Sequence, residues 1–66
     1  MQIVVNGVAR TVSEGMPLLE LFASLGLKPE STVVEYNGAV LDRARFAGLA
    51  LAEGDALELV RFVGGG

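Results

Sequence analysis

The residues that could carry chemistry in this sequence are chiefly its carboxylates, one lysine and the final glycines, because its 66 residues include no Cys and no His. A thiol nucleophile, a disulfide framework and the Ser-His-Asp or Cys-His arrangements are therefore excluded. Zinc, copper and haem-type sites lose their usual ligands. The carboxylates are Glu14, Glu20, Glu30, Glu35, Asp42, Glu53, Asp55 and Glu58. General acid–base work needs two of them converging with separated pKa values. Their spacing points to no such pair, so they read as solvated surface charge. Glu53-Gly54-Asp55 lacks EF-hand spacing and reads as a turn. Lys28, directly before Pro29, reads as a loop residue rather than a Schiff-base former. Asn6-Gly7 and Asn37-Gly38 read as turn chemistry and nothing more, and no phosphate-binding glycine loop is present. No residue is assigned a catalytic role and none a metal.

Two features ask for more. The sequence ends Gly64-Gly65-Gly66, three residues without side chains and with free access to positive φ. An unselected loose end is the plainer reading, but such ends are usually polar and mixed. A glycine-only end suits a chain that threads into a narrow active site, with Gly64 and Gly65 as the arm and the Gly66 carboxylate at its tip. That carboxylate, with a reference pKa of about 3.3–3.7, is ionised at neutral pH. It could attack the α-phosphate of ATP, forming a mixed anhydride that a thiol or sulfide displaces. The second feature is an apolar group of Val4, Val60 and Phe62, expected on one outward face if the first and last strands are neighbours, and flanked by Glu35 and Glu58. Scattered exposed strand residues are the plainer reading here, but a contiguous group on a sheet marks a docking surface.

The elements that must position these features are legible from local pattern. Met1 to Asn6 and Val8 to Val12 read as a hairpin about Asn6-Gly7. Leu18, Leu21, Phe22 and Leu25 recur at helical spacing behind Pro17, with Gly26 as a left-handed cap and Pro29 barring continuation. Thr32 to Asn37 and a short stretch through Val40 and Leu41 read as a second hairpin about Asn37-Gly38. Arg43 to Leu51 is ambiguous, with a short helical turn over 44–47 as the better reading. Ala56 to Val63 reads as the last strand. Leu57 and Leu59 fall on one of its faces and Glu58, Val60 and Phe62 on the other. The core expected from this pattern comprises Met1, Ile3, Val5, Val12, Leu18, Leu21, Phe22, Leu25, Val34, Tyr36, Leu41, Leu57 and Leu59, with Phe46 sealing an end of the sheet.

The layout is α+β, a mixed sheet packed on one main helix, with residues 1–63 as the domain and 64–66 as a flexible glycine tail. A chain this short makes one domain. Hydrophobic residues at 52% and charged residues at 20% give a globular composition. A net charge of −3 argues against nucleic-acid binding. No targeting signal and no apolar run near the roughly 20 residues of a membrane span are expected, so the expectation is a cytoplasmic protein, monomeric when free.

The element order closed by a strand and glycines resembles the ubiquitin-like β-grasp proteins, and among them the ThiS family of sulfur carriers in thiamine biosynthesis. The resemblance runs the whole length. It rests on Met1-Gln2-Ile3 with Val5-Asn6-Gly7, on Glu14-Gly15 before a Leu-rich helix ending Leu25-Gly26-Leu27, and on Tyr36-Asn37-Gly38 followed by Val40. It is completed by Glu53-Gly54-Asp55 and by Val60-Arg61-Phe62-Val63-Gly64-Gly65-Gly66. It implies a carrier rather than an enzyme. A dedicated E1-like adenylyltransferase would activate Gly66 with Mg-ATP, and a sulfur donor such as a cysteine desulfurase persulfide would convert it to a thiocarboxylate. Thiazole synthase would take the sulfur, and no cofactor would be bound by the carrier itself. The small subunit of molybdopterin synthase shares these traits, but usually carries a Pro-rich segment where Arg61-Phe62-Val63 stands. A covalent protein modifier or a β-grasp binding module is the alternative from another class, whereas a β-grasp ferredoxin is excluded by the missing cysteines.

Overall fold

A computed structural model describes residues 1–62; Val63 and the tail glycines Gly64, Gly65 and Gly66 lie outside the described residues. Strands β1 (Gln2–Val5) and β2 (Val8–Thr11) form the first hairpin, helix α1 (Leu18–Leu25) follows, and β3 (Thr32–Tyr36) and β4 (Ala39–Val40) form the second hairpin. A 3₁₀ turn at Pro29–Ser31 leads into β3, another spans Arg43–Gly48, and β5 (Ala56–Arg61) follows. The five strands lie in the order β2-β1-β5-β3-β4. β5 runs parallel to β1 and antiparallel to β3, so it occupies the centre of the sheet. Among the described residues, no helix is long and apolar enough to cross a membrane.

Both hairpins turn through two consecutive residues at positive φ, Asn6 (50°) with Gly7 (80°) and Asn37 (51°) with Gly38 (88°). That is the type I′ geometry whose twist suits a two-residue loop, and Asn and Gly tolerate it best. The helix ends as its sequence dictates. Gly26 takes a left-handed φ of 69°, its amide donates to the Ala23 carbonyl, and the Leu27 amide reaches back to Phe22. Pro17 lies just outside the helix in extended geometry.

One face of the sheet meets α1 and buries Ile3, Val5, Leu18, Leu21, Phe22, Val34, Leu41, Leu57 and Leu59, as the alternation predicts. Two corrections arise in the ambiguous stretch. Phe46 does not merely seal an edge: it is buried and meets Phe22 edge-on, with ring centroids 5.5 Å apart. Leu51 is buried as well, because residues 49–51 run beside the helix entry. There Leu18 donates to the Leu49 carbonyl and Leu51 to that of Met16. Met1, Val12, Leu25 and Tyr36, expected in the core, are only partly buried at its margin. β5 ends at Arg61, earlier than the sequence pattern implies.

Candidate functional site

β5 is the last described strand before Gly64-Gly65-Gly66 in the sequence, and it is anchored from both sides by asparagine side chains. The Asn6 side-chain oxygen accepts from the Leu59 amide at 2.7 Å while its Nδ2 donates to the Leu59 carbonyl at 3.3 Å. The Asn6 backbone amide donates to the Leu57 carbonyl. On the other side, the Asn37 side-chain oxygen accepts from the Ala56 amide at 2.8 Å, and the Asn37 backbone amide donates to the Ala56 carbonyl. Each turn asparagine thus acts as an extra peptide group after its own strand has ended. The sequence reading of both Asn-Gly pairs as turn chemistry alone is therefore too narrow. A side-chain amide carries its donor and its acceptor on separate atoms, as a peptide group does, whereas Ala has neither.

Glu53-Gly54-Asp55 is more than a turn. Glu53 accepts from the Gln2 amide at 2.8 Å, and Gly54, at a φ of 82°, donates to the Gln2 carbonyl at 2.7 Å. The reading of every carboxylate as solvated charge fails at Asp55, which is only 7% exposed. Its carboxylate accepts from the Tyr36 hydroxyl at 2.6 Å, the Ala52 amide at 2.8 Å and the Asn37 side-chain amide at 3.1 Å. Burial pushes its pKa up, but the Tyr36 hydroxyl, the Ala52 amide and the Asn37 amide outweigh that and hold it below the ordinary value. The same hydrogen bond from Tyr36 to Asp55, with burial and the Asp55 charge, raises the Tyr36 pKa. Among the described residues, no three metal-ligating side chains gather into a cluster.

Replacing Asp55 by Ala strands three donors, and at about 1–3 kcal/mol for a fully buried one the part-buried set is expected to cost roughly 2–4 kcal/mol. Urea titration of the variant measures this. In the wild type, a depressed pKa means that the stabilisation by Asp55 is present above the unfolded-state pKa and lost as pH falls through the folded value. Acid unfolding is therefore expected below about pH 4, near the reference carboxylate value, and Asp55→Asn should flatten that limb of the stability curve. For Tyr36 the sign reverses. Its contribution holds below the unfolded pKa of 10.0 and is lost as pH rises through the higher folded value.

The expected docking residues are placed as follows. Val4, Val60 and Phe62 are all exposed, at 37%, 59% and 40%. Strands β1 and β5 are neighbours, but their register sets Val4 beside Ala56. Val60 lies four residues, about 13 Å, further along. Its cross-strand partner is Val33 on β3, itself 41% exposed, and the next pair on that face is Glu35 opposite Glu58. The structure thus brings Val60 together with Val33 and not with Val4. Phe62 lies beyond the strand. Its amide donates to the Ser31 carbonyl at 3.0 Å, and it lines a shallow open cleft with Gly26, Lys28, Ser31 and Arg61. Val33 was missed because its pairing depends on the β3–β5 register, although its β-branched type in a strand adjoining Glu35 was the available signal.

Comparison with known proteins fits this geometry. The ThiS family model matches residues 3–66. The crystal structure of a thiamine biosynthesis protein (ThiS) from Geobacter metallireducens superposes with a TM-score of 0.82 at 39% identity, the whole of both chains being covered. An NMR solution structure of a thiamine biosynthesis protein from the same organism gives 0.79, covering all of this chain and 88% of that one. The sheet with its single helix is therefore the ubiquitin-like β-grasp. Thiazole synthases from Magnetococcus marinus and Paramagnetospirillum magneticum are 39% and 36% identical over 66 residues. This chain spans 20% of the length of each. With a family model matching nearly every residue and a solved member covered end to end, the chain belongs to the ThiS family.

Proposed function

We propose that this chain is a sulfur carrier of thiamine biosynthesis whose working atom is the C-terminal carboxylate of Gly66. The observation that carries the reading is the family match, whose span, residues 3–66, takes in the three glycines. The carboxylate oxygen attacks the α-phosphorus of Mg-ATP held by an E1-like adenylyltransferase, and pyrophosphate leaves. The terminal sulfur of a persulfide, derived from a donor such as a cysteine desulfurase, then displaces AMP at the glycyl carbonyl to give an acyl disulfide. A second thiol attacks the donor's sulfur, forming a disulfide with it and releasing Gly66 as the thiocarboxylate. Thiazole synthase receives the sulfur. The carrier is a co-substrate in these steps, not a catalyst, and the nucleotide belongs to the activating enzyme. The similarity to one fifth of two thiazole synthases supports that enzyme as the recipient, and favours thiazole over molybdopterin as the product.

Docking falls to the outward face of the sheet around Val33 and Val60, with Phe62 at the root of the arm and Val4 on the flank. Gly64 and Gly65 thread the active site. The test is intact-mass analysis of the full chain before and after incubation with the adenylyltransferase, Mg-ATP and a sulfur donor. The starting mass must correspond to a free carboxylate on Gly66. The expected product has gained the difference between sulfur and oxygen, and fragmentation places the gain on Gly66. A gain on any side chain, or an isopeptide bond to a lysine, would replace this reading with that of a protein modifier.

A further inference from the structure

We infer that the outward sheet face binds a protein surface that presents an arginine between Glu35 and Glu58, with an apolar side chain lying over Val33 and Val60. Glu35 and Glu58 are directly opposite across β3 and β5, and both are exposed. Directly paired residues in a sheet hold their Cβ atoms about 4.5–5.5 Å apart, a position where like charges repel and destabilise the pair.

Among the described residues, none that the strand register sets beside the two glutamates is a cation. The outward neighbours in register are Val33 and Val60 on one side, Val40 opposite Glu35, and Ala56 with Val4 on the other. Asn6 is committed to the Leu59 backbone. Arg61 pairs with Thr32, a buried residue of the core-facing register, so it falls on the other parity of the strand. The two carboxylates therefore stand as a cation-shaped gap beside an apolar pair. A metal ion is a poor occupant, because among the described residues no third ligand joins them. A guanidinium suits the gap: its planar fork can give parallel hydrogen bonds to both carboxylates, and its stem can lie along apolar surface. The valine pair then takes an apolar neighbour of that arginine, excluding water from the charged contact.

The inference rests on the reading that this face docks a protein partner, and the experiment separates the two. The full chain and its Glu35→Gln/Glu58→Gln double variant are titrated calorimetrically against the adenylyltransferase and against the thiazole synthase of the same organism, at low and high salt. Thermal melting of both forms is recorded. The expected result is a melting temperature equal to or above that of the wild type, because the repulsion is gone. Affinity for at least one partner should fall tenfold or more, and the salt dependence of that affinity should disappear with the carboxylates. Val60→Asp serves as the second variant. If it abolishes binding while the double Gln variant stays within twofold for both partners, the face docks but the arginine contact is wrong. If neither variant alters binding, the docking reading fails as well. A lower melting temperature in the double variant would make the glutamates structural and overturn the inference.

Discussion

Leu59→Asp is expected to unfold the protein, while Val60→Asp and Phe62→Asp, one and three residues further along, leave it folded. Leu59 is 7% exposed and packs in the central core, whereas Val60 is 59% exposed on the opposite face. Truncating a buried Leu alone costs about 2–5 kcal/mol, and the substitution also places an unpaired carboxylate among apolar groups. A chain of 66 residues has a total stability of only about 3–10 kcal/mol at typical values per residue. Circular dichroism and thermal melting distinguish the variants directly. In binding assays, loss of an aromatic anchor at Phe62 is expected to cost about 2 kcal/mol, roughly a 30-fold weakening toward the adenylyltransferase. If Leu59→Asp were tolerated and Val60→Asp unfolded the chain, the two faces of β5 would have to be exchanged.

Deleting Gly65 and Gly66 together is expected to abolish adenylation while the melting temperature stays unchanged. Two residues remove about 7 Å of reach, more than an active site aligned for in-line attack on a phosphorus can absorb. Stability should hold because every buried residue among those described lies between Ile3 and Leu59. Removal of Gly66 alone shortens the arm by about 3.5 Å and still leaves a glycine carboxylate, so partial turnover is the expected outcome. Pyrophosphate release with the adenylyltransferase reads the chemistry, and calorimetry reads the fold. A large fall in melting temperature for the double deletion would give the glycines a packing role.

What could be read from the sequence was whatever is encoded locally. The α1 stripe, its Gly26 cap, both Asn-Gly turns and the alternation of Leu57, Glu58, Leu59 and Val60 each depend on residues within a few positions of one another. What could not be read depends on pairing between distant strands. Asp55 looked like any surface carboxylate until Tyr36, Asn37 and Ala52 were brought around it. Leu51 joined the core only because its neighbours pair with the helix entry. Val33 became the companion of Val60 through a register that alternation alone does not set. The glycine arm was the reverse case, since its interest lies in composition and needs no register to be noticed.

The position of β5 has a consequence for how the molecule comes into being. Because the latest strand in the chain fills the middle of the sheet, β1 and β3 cannot meet before it is made, and each keeps a bare edge until then. Contacts such as Val5 with Leu57 span most of the chain, so their loop-closure entropy must be met before the core gives anything back. A chain cut short before residue 56 is thus left with two sticky half-sheets and no framework. The central pairing of the sheet can close only once the chain has been made through β5. Insertion of β5 therefore tests that the chain has been made as far as Arg61, and it is blind to the glycines beyond, whose loss is felt only in the chemistry.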